Sequence, residues 1–326
     1  DRIPLIANDI RRRQCTDGSW GMYYEAPGDL STSIECYFAL KLAGDGADDS
    51  HMVRARKFIL EKGGVPAARV FTKIWLALFK QWDWNGTPIM PPEMVLLPRW
   101  APFNIYKWSS WARGTIVPLL IILSSHPSIA IPKDLDIDEL YPNPRNETNY
   151  HMPLRNKQLI SWERALWIAD KFFRLYQHCP IKPFRSTAVR RIERWILNHQ
   201  ESDGSWGGIQ PPWTYSLMAL NHLGYTLEHP VIAKGLAGFR GHWSLLSTDS
   251  KSMRVQACLS PVWDTCLALL GLLDSGYPED SPVIQKGVQW LLGKEIRVKG
   301  DWAIRCPDLE PSGWSFEFDN QLYPDI

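Results

Sequence analysis

An all-α chain of stacked helix pairs is the fold class predicted by this sequence, and three observations predict it. The frame Gln-x-x-Asp-Gly-Ser-Trp occurs twice, at Gln14–Trp20 and at Gln200–Trp206. A frame that specific, repeated in one chain, marks an internal structural repeat. Apolar residues recur at helical spacing in several long stretches. No stretch shows the apolar/polar alternation, bounded by hairpin turns, that a half-buried strand requires.

The repeat frame reads as a joint between helices. A helix ends near Gln14, Asp17-Gly18 turns the chain with the glycine free to take positive φ, and Trp20 folds back on the helix end. Ser31-Thr32-Ser33 then offers capping hydroxyls, with Glu35 three residues after Thr32 as in a capping box. Ile34, Tyr37, Phe38, Leu40 and Leu42 supply the apolar face of the helix that follows. Residues 54–60 give a partial copy that ends in Gly63-Gly64 without a tryptophan. Residues 69–79 and 108–123 are apolar helical stretches, and 162–176 is amphipathic. The helix at 190–197 leads into the second frame, and Tyr215, Leu217, Met218, Leu220 and Leu223 begin the next. A third, looser copy runs from Lys286 to Gly300-Asp301-Trp302. Two connectors interrupt the pattern. Residues 82–102 hold Pro88, Pro91, Pro92, Pro98 and Pro102, and 124–153 are polar and proline-rich. Connectors of that length are usually functional or mobile.

Composition limits the functions available. The 326 residues, 45% hydrophobic and 22% charged, suffice for a substantial core in one large or two medium domains. A net charge of +1 gives no general drive toward nucleic acid or acidic membranes, and no nucleic-acid partner is expected. Six cysteines without a Cys-x-x-Cys pair suit reduced thiols in an intracellular compartment. No signal peptide opens the chain, and the most apolar run, Ile116–Leu123, is short and carries Pro118. The 17 tryptophans are the outlier, pointing to repeat-locking side chains, an aromatic-lined cavity, or both.

Several motifs carry little. Asp134–Glu139 lacks the glycine and distal glutamate of a calcium loop and reads as a solvated acidic patch. The eight histidines show no zinc-binding spacing. Arg11-Arg12-Arg13 sits at a helix end, where cations suit the dipole, and Arg185–Arg194 reads as a solvated helix face. Asp264-Thr265-Cys266 matches two zinc ligands of protein prenyltransferase β subunits, but no histidine follows to complete the set. No metal and no cofactor are expected.

Other segments are more specific. They include Asp29–Glu35, Arg69–Leu78, Pro91-Pro92-Glu93, Asn104-Ile105-Tyr106 and Ser110-Trp111-Ala112-Arg113. Further along come Gly207–Trp213, Ser260–Thr265, Gly300-Asp301-Trp302 and Phe316–Asn320. With the two frames, which look like QW repeats, they resemble the squalene–hopene cyclases, class II triterpene cyclases, in order along essentially the whole chain. The resemblance implies α/α toroids: an inserted toroid over residues 1–256 and the start of a catalytic toroid over 257–326. It also implies a partial copy, with the family's first repeat before Asp1 and most of the second toroid after Ile326. The family's acid motif Asp-x-Asp-Asp would begin at Asp325, so residues 1–326 alone are expected to be inactive.

The implied reaction is cyclisation of squalene to a pentacyclic triterpene, begun by alkene protonation and carried through carbocations. By the same resemblance, Trp111, Trp263 and Phe316 would line the cavity, with Ile209 and Pro211 shaping its end. Gln210 would hold the water that ends the cascade, and Glu35, Arg69 and Tyr215 would complete the polar network; Glu35 as a capping-box residue competes with that role. Trp20, Trp206 and Trp302 are expected to be structural. The expected partners are a squalene-type polyprene, a membrane surface touched without spanning, with an apolar opening near Pro183-Phe184, and a second copy of the chain in a homodimer. The reading from a different class is a catalytically inactive helical toroid that binds an apolar ligand or partner.

Overall fold

Helix ends leave backbone donors and acceptors without intrahelical partners, and the repeat frames satisfy them with side chains. The computed structural model describes residues 2–151, 154, 158, 161–241, 243–316 and 322. Both complete frames fold the same way. Gln14 follows α1 (Ile3–Arg12), and its Nε2 donates to Gly18 O at 2.9 Å and to His51 O, in the first turn of α3 (Ser50–Glu61), at 2.8 Å. Gln200 follows α7 (Arg185–Asn198) and donates to Gly204 O at 3.1 Å and Val231 O, in the first turn of α9 (Pro230–Arg240), at 2.8 Å. The Trp20 indole donates to Ile10 O at 2.7 Å and the Trp206 indole to Ile196 O at 2.8 Å. Gly18 lies at φ +89°, and a Cβ there would come within 2.6 Å of the Arg54 backbone. Gly204, at φ +94°, is held as closely against the Lys234 carbonyl. Each joint thus ties the end of one helix to the start of the next but one.

The third copy departs from this scheme. Asp301 and Trp302 lie in a 3-10 turn at Asp301–Ile304. Asp301 is buried and pairs with Arg113 Nε at 3.0 Å and His199 Nε2 at 3.2 Å.

The chain divides into two units. The first comprises residues 1–90, 125–178 and 245–254. In it α2 (Leu30–Leu42), whose apolar residues are not confined to one face, contacts α1, α3 and α4 (Val70–Leu78). Ile34, Tyr37, Leu40, Met52 and Ile59 form its core. Asp29 caps α2, accepting Thr32 N at 2.8 Å. The capping box predicted for Glu35 does not form, because Glu35 turns to Thr72 instead. The acidic stretch 134–139 is a solvated patch only in part: Asp134 and Asp138 are exposed, but the rest packs inward. Ile137 and Leu140 are fully buried, Glu139 accepts Tyr37 Oη at 2.8 Å and Lys41 Nζ at 2.7 Å, and Asp136 accepts Gln81 Nε2 at 2.7 Å. The loop folds over the core, and Asp136 and Glu139 meet buried donors there. Arg11 and Arg12 likewise do more than face a helix dipole: Arg11 pairs with Asp45, and Arg12 with Asp249 at 2.6 Å.

Helix α6 (Trp162–His178), also in the first unit, is mounted inside out. Its polar side is anchored: Asp170 accepts Ile89 N at 3.0 Å and Arg174 Nε at 2.7 Å, and Arg174 donates to Thr87 O at 2.7 Å. Its apolar side faces outward, with Trp162 79%, Leu166 57%, Phe172 64% and Leu175 69% exposed.

The second unit comprises residues 91–124, 179–244 and 255–326. It contains α5 (Ser110–Ser125, up to residue 124), α7, α8 (Gln210–His222), α9, α10 (Pro261–Asp274) and α11 (Pro282–Leu292). Helices α8 and α9 pair, as do α10 and α11. Trp213, fully buried, stacks on Phe239 at 3.7 Å and meets Trp243 edge-on at 4.7 Å. Helix pairs within each unit accord with the α/α-toroid class. One short ribbon, β1 (Ser244–Leu246) with β2 (Met253–Val255), is too brief to leave an alternation in the sequence. No helix among the described residues is long and apolar enough to cross a membrane.

Candidate active site

Three aromatic side chains from distant parts of the sequence converge in the second unit. Trp111 stands on the first turn of α5, Trp263 on the first turn of α10, and Phe316 on the segment after α11. Ring centroids are 6.3 Å apart for Trp111 and Trp263, 5.2 Å for Trp111 and Phe316, and 5.4 Å for Trp263 and Phe316. The contacts to Phe316 are edge-on, at 74° and 73°, and the indoles are tilted at 50° to each other. Edge-to-face packing uses the positive edge of one ring against the negative face of another. Phe316 is buried, whereas Trp111 and Trp263 remain 37% and 36% exposed. Their mounts are fixed. Arg113, two residues beyond Trp111, holds Asp301 and lies over the Tyr106 ring at 5.5 Å. Burial, with the nearby Asp301 charge, pushes the Tyr106 phenol up. Trp314 Nε1 donates to Leu291 O at 2.7 Å and secures the approach to Phe316.

Gln210 is the first residue of α8, so the helix expected to begin at Tyr215 starts earlier and includes Gln210 in its opening turn. Pro211 and Pro212 suit that position, where no intrahelical N–H is needed. The seat is built from backbone. Gly207 and Gly208 take φ of +69° and +61°, Leu259 N donates to Gly208 O at 3.0 Å, and Gln210 N donates to Ala257 O at 3.0 Å. Ile209 forms an antiparallel bridge with Cys258. Gln210 Nε2 donates to Gln256 O at 2.6 Å and Val255 O at 3.4 Å. Both amide hydrogens face carbonyls, so Oε1 is the end left to accept, and no described residue donates to it. Pro212 packs against α5 at Gly114, where a Cβ would lie 3.5 Å away. Pro211 is exposed, Ile209 half-buried and Tyr215 buried within α8.

Glu35 and Arg69 belong to the first unit. Thr72 Oγ1 donates to Glu35 Oε1 at 2.5 Å, and Arg69 Nη2 donates to Asp29 Oδ1 at 3.0 Å. Glu35 is open to solvent on one side and walled by protein on the others. Loss of hydration pushes its carboxyl above the usual value; the Thr72 hydroxyl and the Arg69 charge pull it back, and Asp29 adds to the rise. Asp29 moves the other way. Burial would raise it, but the Thr32 amide and hydroxyl and the Arg69 charge outweigh that. Beside Glu35, the Cys36 thiol is pushed up to about 12 by burial and by that neighbouring charge. The expected acid Asp325 lies outside the described residues.

Sequence reasoning did not identify the groups that hold these side chains. Thr72 carried no signal beyond its helix. The Val255 and Gln256 carbonyls carry none in any sequence. Arg113 and Asp301 stood inside matching segments without an assigned role.

Residues 2–245 match the family model described as squalene-hopene cyclase N-terminal domain, and residues 259–326 match the squalene-hopene cyclase C-terminal domain. The chain belongs to the squalene–hopene cyclase family. It is 41% identical over 329 residues to a squalene–hopene cyclase of Alicyclobacillus acidocaldarius, covering 100% of this chain and 50% of that protein. It is 38% identical to a dammaradiene synthase of Dryopteris crassirhizoma, covering 100% of this chain and 47% of the relative. A squalene–hopene cyclase of Bradyrhizobium diazoefficiens is 36% identical, over 98% of this chain and 48% of its own length. The chain spans about half the length of the curated relatives it matches.

For this family member, the raised Glu35 value has a definite sign in stability. The folded protein holds that proton more tightly than the unfolded chain, so stability falls as pH rises from the ordinary value of 4.5 through the folded value. Glu35→Gln removes that loss. The urea midpoint of the variant should exceed the wild type by a margin that grows between about pH 4 and about pH 7. A margin that shrinks over the same range would mean the ionised carboxylate is the favoured form.

Proposed function

We propose that this chain forms part of a class II triterpene cyclase that converts squalene to a pentacyclic triterpene. The observation that carries the reading is the convergence of Trp111, Trp263 and Phe316 in a member of the squalene–hopene cyclase family. A carboxylic acid protonates the terminal alkene, and each ring closure moves the positive charge along the chain until a proton is lost or water adds. Asp325 would open the acid motif. Such cations need stabilisation by groups that cannot capture them. Aromatic faces meet that need, at roughly 0.5–2 kcal/mol per contact, and offer no lone pair that would end the reaction early. Trp111 and Trp263 supply the faces, and Phe316 fixes their tilt.

Gln210 supplies a different function in the same unit. With its nitrogen committed to the Gln256 and Val255 carbonyls, Oε1 accepts a hydrogen bond from a water. That water takes the final proton or adds to the final cation. Ile209 and Pro211 shape the turn around it.

The substrate is a hydrocarbon that partitions into lipid. Helix α6 supports uptake from a membrane surface, because its anchored polar side leaves Trp162, Leu166, Phe172 and Leu175 facing outward. An apolar helix face with a tryptophan at one end suits the interface plane.

In the cyclase containing this chain, Trp111→Ala should lower squalene turnover roughly 2- to 30-fold, the equivalent of one lost cation–aromatic contact. Prematurely terminated products should accumulate in gas chromatography of the extracts. An unchanged product profile and rate would remove Trp111 from the cavity. For α6, Phe172→Glu with Leu175→Glu should reduce co-flotation with lipid vesicles roughly tenfold or more while circular dichroism stays unchanged. Undiminished flotation would assign lipid contact to another surface.

A further inference from the structure

In the second unit, the loop at residues 97–107 and the turn at 301–304 enclose a cleft of about 320 Å³, lined by Arg99, Asn104, Lys107, Ile304, Arg305 and Pro307. Its charged lining is wholly cationic. This is a local feature, since the chain as a whole carries a net charge of only +1. The guanidinium groups of Arg99 and Arg305 make no ion pair or hydrogen bond with a described residue. Lys107 Nζ donates to Trp100 O at 3.1 Å, which leaves further N–H groups available. Lys299, whose Nζ donates to Pro307 O at 2.6 Å, brings another cation near the same wall.

The cleft is built before any ligand arrives. Asn104 is 4% exposed, and its amide spans the loop, Nδ2 donating to Leu97 O at 2.6 Å while Oδ1 accepts Tyr106 N at 2.9 Å. The facing turn is held by Asp301 on Arg113 and His199. Rigid walls that hold like charges together bear their repulsion in the empty state, and an anion relieves it. Guanidinium groups match phosphate oxygens two at a time, whereas an ammonium acts as a point charge.

We propose that this cleft binds a phosphate-bearing anion, gripped by the guanidiniums of Arg99 and Arg305 and the ammonium of Lys107. The anion is either a free phosphate compound or the headgroup of an acidic phospholipid. The exposed Trp100, on the same loop as Arg99 and Lys107, is the kind of side chain that would rest among lipid headgroups in the second case. The site is independent of the cyclase reading, which concerns an uncharged substrate.

The test uses titration calorimetry with sodium pyrophosphate, and flotation with phosphatidylglycerol-containing vesicles compared with phosphatidylcholine alone. Saturable pyrophosphate binding supports a free phosphate compound. Preference for the acidic vesicles without pyrophosphate binding supports a lipid headgroup. In either arm, Arg99→Ala with Arg305→Ala should weaken the interaction roughly tenfold or more, and rising salt should weaken it further. Arg99→Lys with Arg305→Lys should retain part of the binding, which separates loss of charge from loss of fold. The proposal is overturned if the wild type shows neither pyrophosphate binding nor acidic-vesicle preference, or if the double alanine variant matches the wild type in both. Vesicle binding by α6 does not confuse the result, because the readout is the difference between acidic and neutral lipid.

Discussion

Everything in this chain depends on satisfying backbone groups at helix ends, and the side-chain amide of glutamine is the main device. Gln14 and Gln200 each bridge two carbonyls, one in their own turn and one in the first turn of a later helix. A buried carbonyl left without a donor costs about 1–3 kcal/mol, so each joint matters more than one hydrogen bond suggests. Gln210 uses the same chemistry on the Gln256 and Val255 carbonyls. A few residues past the second frame, the chain thus turns a structural habit to the placement of an acceptor oxygen.

Local features were legible in the sequence and distant partners were not. The frames, the glycine turns and the helices at 69–79, 108–123 and 162–176 could be read because spacing alone determines them. The convergence of Trp111, Trp263 and Phe316 was expected only through family resemblance, since nothing in the three local sequences points to the others. Two of the misreadings share one cause. Glu35 looked like a capping residue because its partner Thr72 lies on another helix. Asp136 and Glu139 looked solvated because the donors Tyr37, Lys41 and Gln81 lie far back in the chain. The helix expected from Tyr215 begins at Gln210 for a local reason: prolines are welcome in the first turn of a helix.

Permanent and transient positive charge call for contrasting surroundings. Permanent cations inside the second unit are neutralised by carboxylate, as Arg113 is by Asp301 in a pair more than nine-tenths buried on each side. A transient carbocation cannot be treated so, because a carboxylate would capture it. In the proposed reaction the aromatic rings would stand beside such a charge, while the Arg113–Asp301 pair joins α5 to the turn at Asp301–Ile304. The tryptophans divide accordingly: Trp20, Trp206 and Trp213 are buried in joints and core, while Trp111 and Trp263 keep more than a third of their surface open.

The most direct measurement is a structure of the cyclase with a polyprene tertiary amine, protonated at nitrogen to imitate a carbocation on the substrate chain. The ammonium should lie within about 6 Å of the ring centroids of Trp111 or Trp263. An ammonium bound away from both indoles, with the aromatic trio packed only against protein, would contradict the assignment of these rings to cation stabilisation.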